Sequence, residues 1–241
     1  LSDRIISIAG SHLIYPIADL VSQLTRCRRD SANPDQPLSS EVDYSTVLIL
    51  LLVLLTESYL AWIRFFDKKT DAKTKKMAPT YLASLKGCKR LARRFSEVYL
   101  LRNAIAHNHV FEYEQAWDLS GVCRYEKFKI DPSWQGESNP KIYSKYVEVK
   151  RYAEPKTKLL GLRVVPGSMG REDVLIVFET VCQVLQQLQK KKYFEIKRSK
   201  RDCHAISIDN LRVPYQQIGQ DKKTVSFPFW NLIEEIRKVA K

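Results

Sequence analysis

What this chain lacks narrows its chemistry first. It has no Cys-x-x-Cys pair, and Cys27, Cys88, Cys123, Cys182 and Cys203 are odd in number and far apart. A disulfide framework and a zinc ribbon are therefore not expected, and a reducing compartment fits. Histidine is also sparse, with only His12, His107, His109 and His204. Cys203 and His204 adjoin, but no matching pair stands elsewhere to complete a metal site. There is no Walker A loop, no Gly-x-Gly-x-x-Gly after a strand, no His-Glu-x-x-His and no Gly-x-Ser-x-Gly elbow. A nucleotide- or metal-dependent enzyme is disfavoured on that ground, and no metal or cofactor is expected. The first residues hold no charged segment leading into an apolar run and a small-residue cleavage site, so no signal peptide is expected. Internal repeats and low-complexity tracts are missing as well. Acidic residues are in short supply: 27 Asp and Glu face 40 Lys and Arg, a net charge of +13. Such an excess favours an anionic partner, whether nucleic acid, an acidic protein or an anionic membrane surface, and charge alone does not choose among them.

What is present is an ordinary globular composition, 44% hydrophobic over 241 residues, enough for one elaborated domain or two small ones. Apolar residues recur at helical spacing through residues 2–26, with Pro16 as a potential kink. A Pro-, Asn- and Ser-rich loop covers 28–40. A second helix is predicted over 41–66, with Ser39 or Ser40 as cap. Its run Val47 to Leu55 is too short for a bilayer and is soon followed by Glu57 and Arg64, so a core helix enclosed by others is expected, with no membrane. A Lys-rich connector precedes a third helical region over 80–107, broken near Gly87. Residues 121–130, 142–152 and 159–165 carry β-branched and aromatic residues in partial alternation and predict a β insertion of two to four strands. A strongly apolar helix is predicted over 171–190, then a strand at 204–208 and a final amphipathic helix over 230–239. The fold class is thus mainly α, a helical bundle interrupted by strands. The bundle is expected over 1–108 and 168–192, the β-rich insertion over 109–167 and a C-terminal extension over 193–241.

The informative segment ends the third helix. Leu91, Phe95, Val98 and Ile105 form one stripe, and Arg102 falls on that stripe between Val98 and Ile105. A guanidinium facing a core is costly unless an anion pairs with it or a ligand site opens there. Asn103 and His107, four residues apart, share a neighbouring face. Arg, Asn and His side by side suit phosphodiester cleavage. Histidine moves protons near neutral pH. Arginine binds a phosphate bidentately and stabilises charge that develops on it. Asparagine can orient the phosphate or ribose.

The run Arg102-Asn103-Ala104-Ile105-Ala106-His107 resembles the R-x4-H motif of the HEPN superfamily of ribonucleases. That resemblance covers the helices of about 1–107 and 171–190. It implies a HEPN-like helical bundle, a homodimer with a composite active site, and metal-independent endoribonuclease activity. The ribose 2′-OH attacks the adjacent phosphate, leaving a 2′,3′-cyclic phosphate and a 5′-hydroxyl. Many such proteins are toxins or antiviral defence effectors, which implies a cytoplasmic chain and, in some cases, an antitoxin or regulatory partner. Carried onto this sequence, Arg102 binds the phosphate, Asn103 is the polar second residue and His107 is the acid–base group. Some members carry Tyr two residues after the His, where this chain has His109, so that mode of regulation is not carried over.

Other readings stand beside this one. Arg102 can be a structural arginine whose natural partner is Glu57, a role compatible with Glu57 orienting a catalytic Arg102. His107 can cap the helix, and His109 fits a loop residue better than a second catalyst. Lys86, Lys89, Arg90, Arg93 and Arg94, upstream of the motif, either track an RNA backbone or form a solvated basic face. The mixed aromatic and basic residues of the insertion, Tyr125 and Lys127 among them, fit sheet packing better than base stacking. Trp230, Ile233 and Ile236 fit docking of the last helix on its own domain. The alternative to an endoribonuclease is a non-catalytic HEPN-like module that binds RNA or protein.

Overall fold

A long apolar helix organises the molecule. The computed structural model describes residues 12–27, 37–66, 77–106, 111–117, 123–130, 145–150, 154–197, 203–205, 212–216 and 224–240. Six helices stand among them: α1 (Ile14–Arg26), α2 (Ser39–Phe66), α3 (Ala78–Ser84), α4 (Lys89–Ala106), α5 (Arg171–Lys190) and α6 (Leu232–Val239). Helix α2 packs against α1, α4 and α5, α5 also packs against α4 and α6, and α6 closes against α1. The protein is mainly helical, as its periodicity predicts.

Local chemistry sets the ends of these helices. The Leu38 carbonyl accepts the first helical bond of α2, from the Val42 amide at 3.0 Å. Ser39 and Ser40 are therefore already helical rather than caps, a correction to the sequence reading, and Glu41 lies in the first turn where the helix dipole favours an anion. Pro16 sits in the first turn of α1, where its missing amide costs no helical bond. The break before α4 is at Gly87, whose φ of +81° lies in the left-handed region that glycine adopts without strain. Helix α5 begins after Gly170, whose amide donates to the Asp173 carboxylate at 3.0 Å, and Lys190 stands in its last turn.

The apolar run of α2 belongs to a helix of 28 residues. By length and composition alone that helix is long enough to cross a membrane, a test that a buried core helix also passes. It is not enclosed all round among the described residues. Leu48, Ile49, Leu52, Val53, Leu55, Tyr59 and Ile63 are buried, whereas Val47 stays 44% exposed and Phe65 69%. Val47, Leu54, Ala61 and Phe65 follow one another at helical spacing along this less covered side.

The strands form four separate two-stranded antiparallel ribbons. Strand β1 (Phe111–Trp117) pairs with β2 (Cys123–Ile130), in register from Phe111 opposite Ile130 to Trp117 opposite Cys123, with an irregularity between Glu114 and Gln115. Strand β3 (Val147–Glu148) pairs with β4 (Lys156–Thr157). β5 (Glu195–Lys197) pairs with β6 (Cys203–Ala205), and β7 (Arg212–Gln216), which lies against α1, pairs with β8 (Thr224–Pro228). Of the expected strand over 142–152 only 145–150 are described, with Val147–Glu148 as strand preceded by helical Lys145 and Tyr146; the rest lies outside the described residues. That over 159–165 is a turn and an irregular segment, with Arg163 forming a single bridge to Lys156. Leu162 and Val164 of this segment join the same core as the helices, and so do Met169 just after it and Phe229, Leu232 and Ile236 from the other end of the chain. Trp230 packs on that core too, and Phe229 stacks on Phe178 at 5.2 Å between ring centroids, so the last helix docks on its own domain.

Two polar anchors fix this arrangement. Glu97 of α4, 2% exposed, accepts the Leu159 and Leu160 amides at 2.8 Å each, pinning the turn of the insertion to the helix. Arg171 of α5 pairs with Glu41 of α2 at 2.5 Å and donates to the Cys27 and Val239 carbonyls, so one guanidinium holds parts of α1, α2 and α6.

Candidate functional site

The last two turns of α4 carry the residues singled out by sequence. The stripe is confirmed: Phe95 and Val98 are fully buried and Leu91 and Ile105 partly so. Arg102 lies where that stripe meets the surface, with its side chain 26% exposed. Three neighbours hold the guanidinium. Its Nε lies 3.8 Å from Glu57 Oε2, its Nη1 donates to Asn103 Oδ1 at 3.0 Å, and its Cζ stands 5.7 Å from the centre of the Tyr99 ring. The Glu57 contact is too long for a hydrogen bond, and the buried Nε has no hydrogen-bond partner among the described residues. Sequence reasoning found Glu57 and missed Tyr99, although its spacing of three from Arg102 puts it one turn back on the same side.

Asn103 departs from expectation. It is only 6% exposed, because it follows Arg102 by 100° around a helix packed on two sides. Its oxygen accepts from Arg102 rather than pointing into open space, so its role here is to orient the guanidinium. His107 and His109 lie outside the described residues.

The electrostatics favour a charged arginine beside a reluctant carboxylate. Burial pushes the Glu57 carboxyl above the ordinary value for glutamate, opposed by the Arg102 charge and a hydrogen bond from Tyr99. The buried thiols of Cys88 and Cys182 are pushed up, chiefly by burial, so neither behaves as a reactive nucleophile. Among the described residues, no group of three or more His, Cys, Asp or Glu is placed to hold a metal ion.

Upstream, Lys86, Lys89, Arg90 and Arg93 are exposed and Arg94 is half-buried. Arg90 and Arg94 line a groove of about 470 Å3 between α4 and α5 that also takes in Lys190. Sequence reasoning missed the α5 wall of this groove, which Gln183, Gln186 and Lys190 form. Basic and aromatic side chains of β2, including Tyr125 and Lys127, lie outside the described side chains. In comparison with known proteins, the chain matches no family model, no curated protein and no solved structure.

Proposed function

We propose that this chain is an endoribonuclease of the HEPN type, cutting RNA by attack of the ribose 2′-OH without a metal ion. The observation that carries the reading is the seating of Arg102. A cation on a core stripe is kept partly open to solvent, aimed by Asn103 and Tyr99, and backed by a carboxylate whose ionisation burial opposes. Such a group binds a phosphate and stabilises the charge that builds on its oxygens as the 2′-oxygen adds. His107, one helical turn beyond Asn103 in sequence, supplies the acid–base step: it takes the 2′-OH proton, and the leaving 5′-oxygen is protonated in turn. On this reading two copies pair to complete the site, the chain acts in the cytoplasm as a toxin or defence effector, and an antitoxin or other regulatory protein restrains it.

The test is cleavage of single-stranded RNA in EDTA by the full chain. His107→Ala and Arg102→Ala should each lower the rate at least about a hundredfold, with far-UV circular dichroism unchanged, and the products should carry 2′,3′-cyclic phosphates. Cleavage by the folded His107→Ala chain at the wild-type rate would defeat the proposal.

One observation favours a second reading, a non-catalytic HEPN-like module that binds RNA or protein. Asn103 is buried and its oxygen is committed to Arg102, as in an arginine held for structure. That reading expects RNA or protein binding with no cleavage and no response to His107→Ala.

A further inference from the structure

The groove between α4 and α5 differs in kind from a solvated basic face. Its polar side chains come from two helices and face one another: Arg90 and Arg94 from α4, Gln183, Gln186, Gln187 and Lys190 from α5. Among the described residues no carboxylate lines it, and three cations stand together there, a repulsive arrangement that an anion relieves. Leu91 gives it an apolar patch. Arg94 Nε is buried with no hydrogen-bond partner among the described residues. Gln187 spends its amide on the Gly87 carbonyl at 3.2 Å, bracing α5 against the turn before α4, which leaves Gln183 and Gln186 exposed at the wall. A primary amide both donates and accepts, as the edge of an unpaired base does.

We propose that this groove is a subsite for one nucleotide unit of single-stranded RNA, its phosphate held by Arg90, Arg94 and Lys190 and its base edge met by Gln183 and Gln186. The choice of ligand rests on the RNA reading above. The groove's volume of about 470 Å3 lies in the range of small-ligand sites. Arg94 and Arg102 are eight residues apart on α4, about 12 Å along its axis and about 80° around it.

The test is fluorescence anisotropy of a short labelled single-stranded oligoribonucleotide, titrated with the full chain at several salt concentrations. Arg90→Ala/Lys190→Ala removes two exposed cations and leaves the core intact. It should weaken binding about tenfold and flatten the dependence of log affinity on log salt by roughly one to two. Gln183→Ala/Gln186→Ala should weaken binding a few-fold with the salt slope unchanged, since amides release no counterions. The control Lys145→Ala/Lys156→Ala removes two exposed lysines outside the groove and should stay within about twofold of wild type. Groove variants that behave like the control overturn the proposal, and so does a control that loses as much as they do. Cleavage assays separate this outcome from the nuclease reading. A chain that cuts RNA but ignores the groove substitutions loses the subsite and keeps the activity, while one that binds through the groove but never cuts keeps the subsite and loses the activity.

Discussion

Helix α2 makes one Arg–Glu pair in its first turn and another past its middle, and the two could hardly differ more. At Glu41 the partner is Arg171: the side chains are 2% and 3% exposed, the contact is 2.5 Å, and two backbone carbonyls take further guanidinium hydrogens. At Glu57 the partner is Arg102: the side chains are 23% and 26% exposed and the Nε contact is 3.8 Å. Residue types, helix and pairing are the same, and in both the Nε lacks a hydrogen-bond partner among the described residues, yet the first guanidinium is sealed among contacts of the fold and the second keeps a side open to solvent. Burial decides which. A sealed pair must satisfy its own charges because water cannot, whereas a pair at the rim can leave donors for a ligand. An arginine in a sequence is thus a structural or a functional residue according to how completely the chain surrounds it.

The sharpest way to break the comparison is to remove the sealed arginine. Arg171→Met leaves Glu41 buried without its cation and should cost about 3–5 kcal/mol in urea unfolding. Adding Glu41→Leu removes the stranded charge and should recover part of that loss, since well-packed apolar residues often replace buried pairs without penalty. Arg102→Met should cost no more than about 1 kcal/mol while abolishing RNA cleavage; a stability loss equal to that of Arg171→Met would place both arginines in the scaffold. The smallest effect concerns Glu57. Its folded carboxyl lies above the ordinary 4.5, so the folded chain holds that proton more tightly than the unfolded chain. The stability this group contributes is present below the ordinary value and lost as pH rises through the raised one. Glu57→Gln should therefore melt slightly above wild type at neutral pH, with the gap closing as pH falls through that range. A gap that widens toward low pH would show the carboxylate, not the acid, to be the favoured form.

Much of this was legible where one physical signal dominated. Helix α5 follows its apolar periodicity over Arg171–Lys190, and the break at Gly87 follows from a backbone conformation other residues avoid. The Arg102–Glu57 pairing was readable because an arginine on a core stripe needs an anion and α2 carries an acid just beyond its apolar run. Strands were read poorly. Alternation in 159–165 reflected burial against helices rather than pairing, and β1, β5, β7 and β8 lacked a pattern strong enough to stand out in short segments. The burial of Asn103 was hidden because one turn of α4 faces two neighbours at once, and sequence spacing gives the angle of a side chain without saying what lies opposite. For the same reason the groove was half visible: its α4 wall follows from a basic cluster, its α5 wall only from the packing of two distant helices.

The clasp made by Glu97 bears on the order in which the chain assembles. Its carboxylate reaches amides 62 and 63 residues downstream, and closing so long a loop is entropically slow until something rigid waits at one end. The receptor for that turn is a finished stretch of α4 already bedded on α2. Synthesis therefore delivers the catch well before the latch, and the segment around Leu159 and Leu160 fastens late, as a closing step that a slow folding phase sensitive to Glu97→Ala would expose.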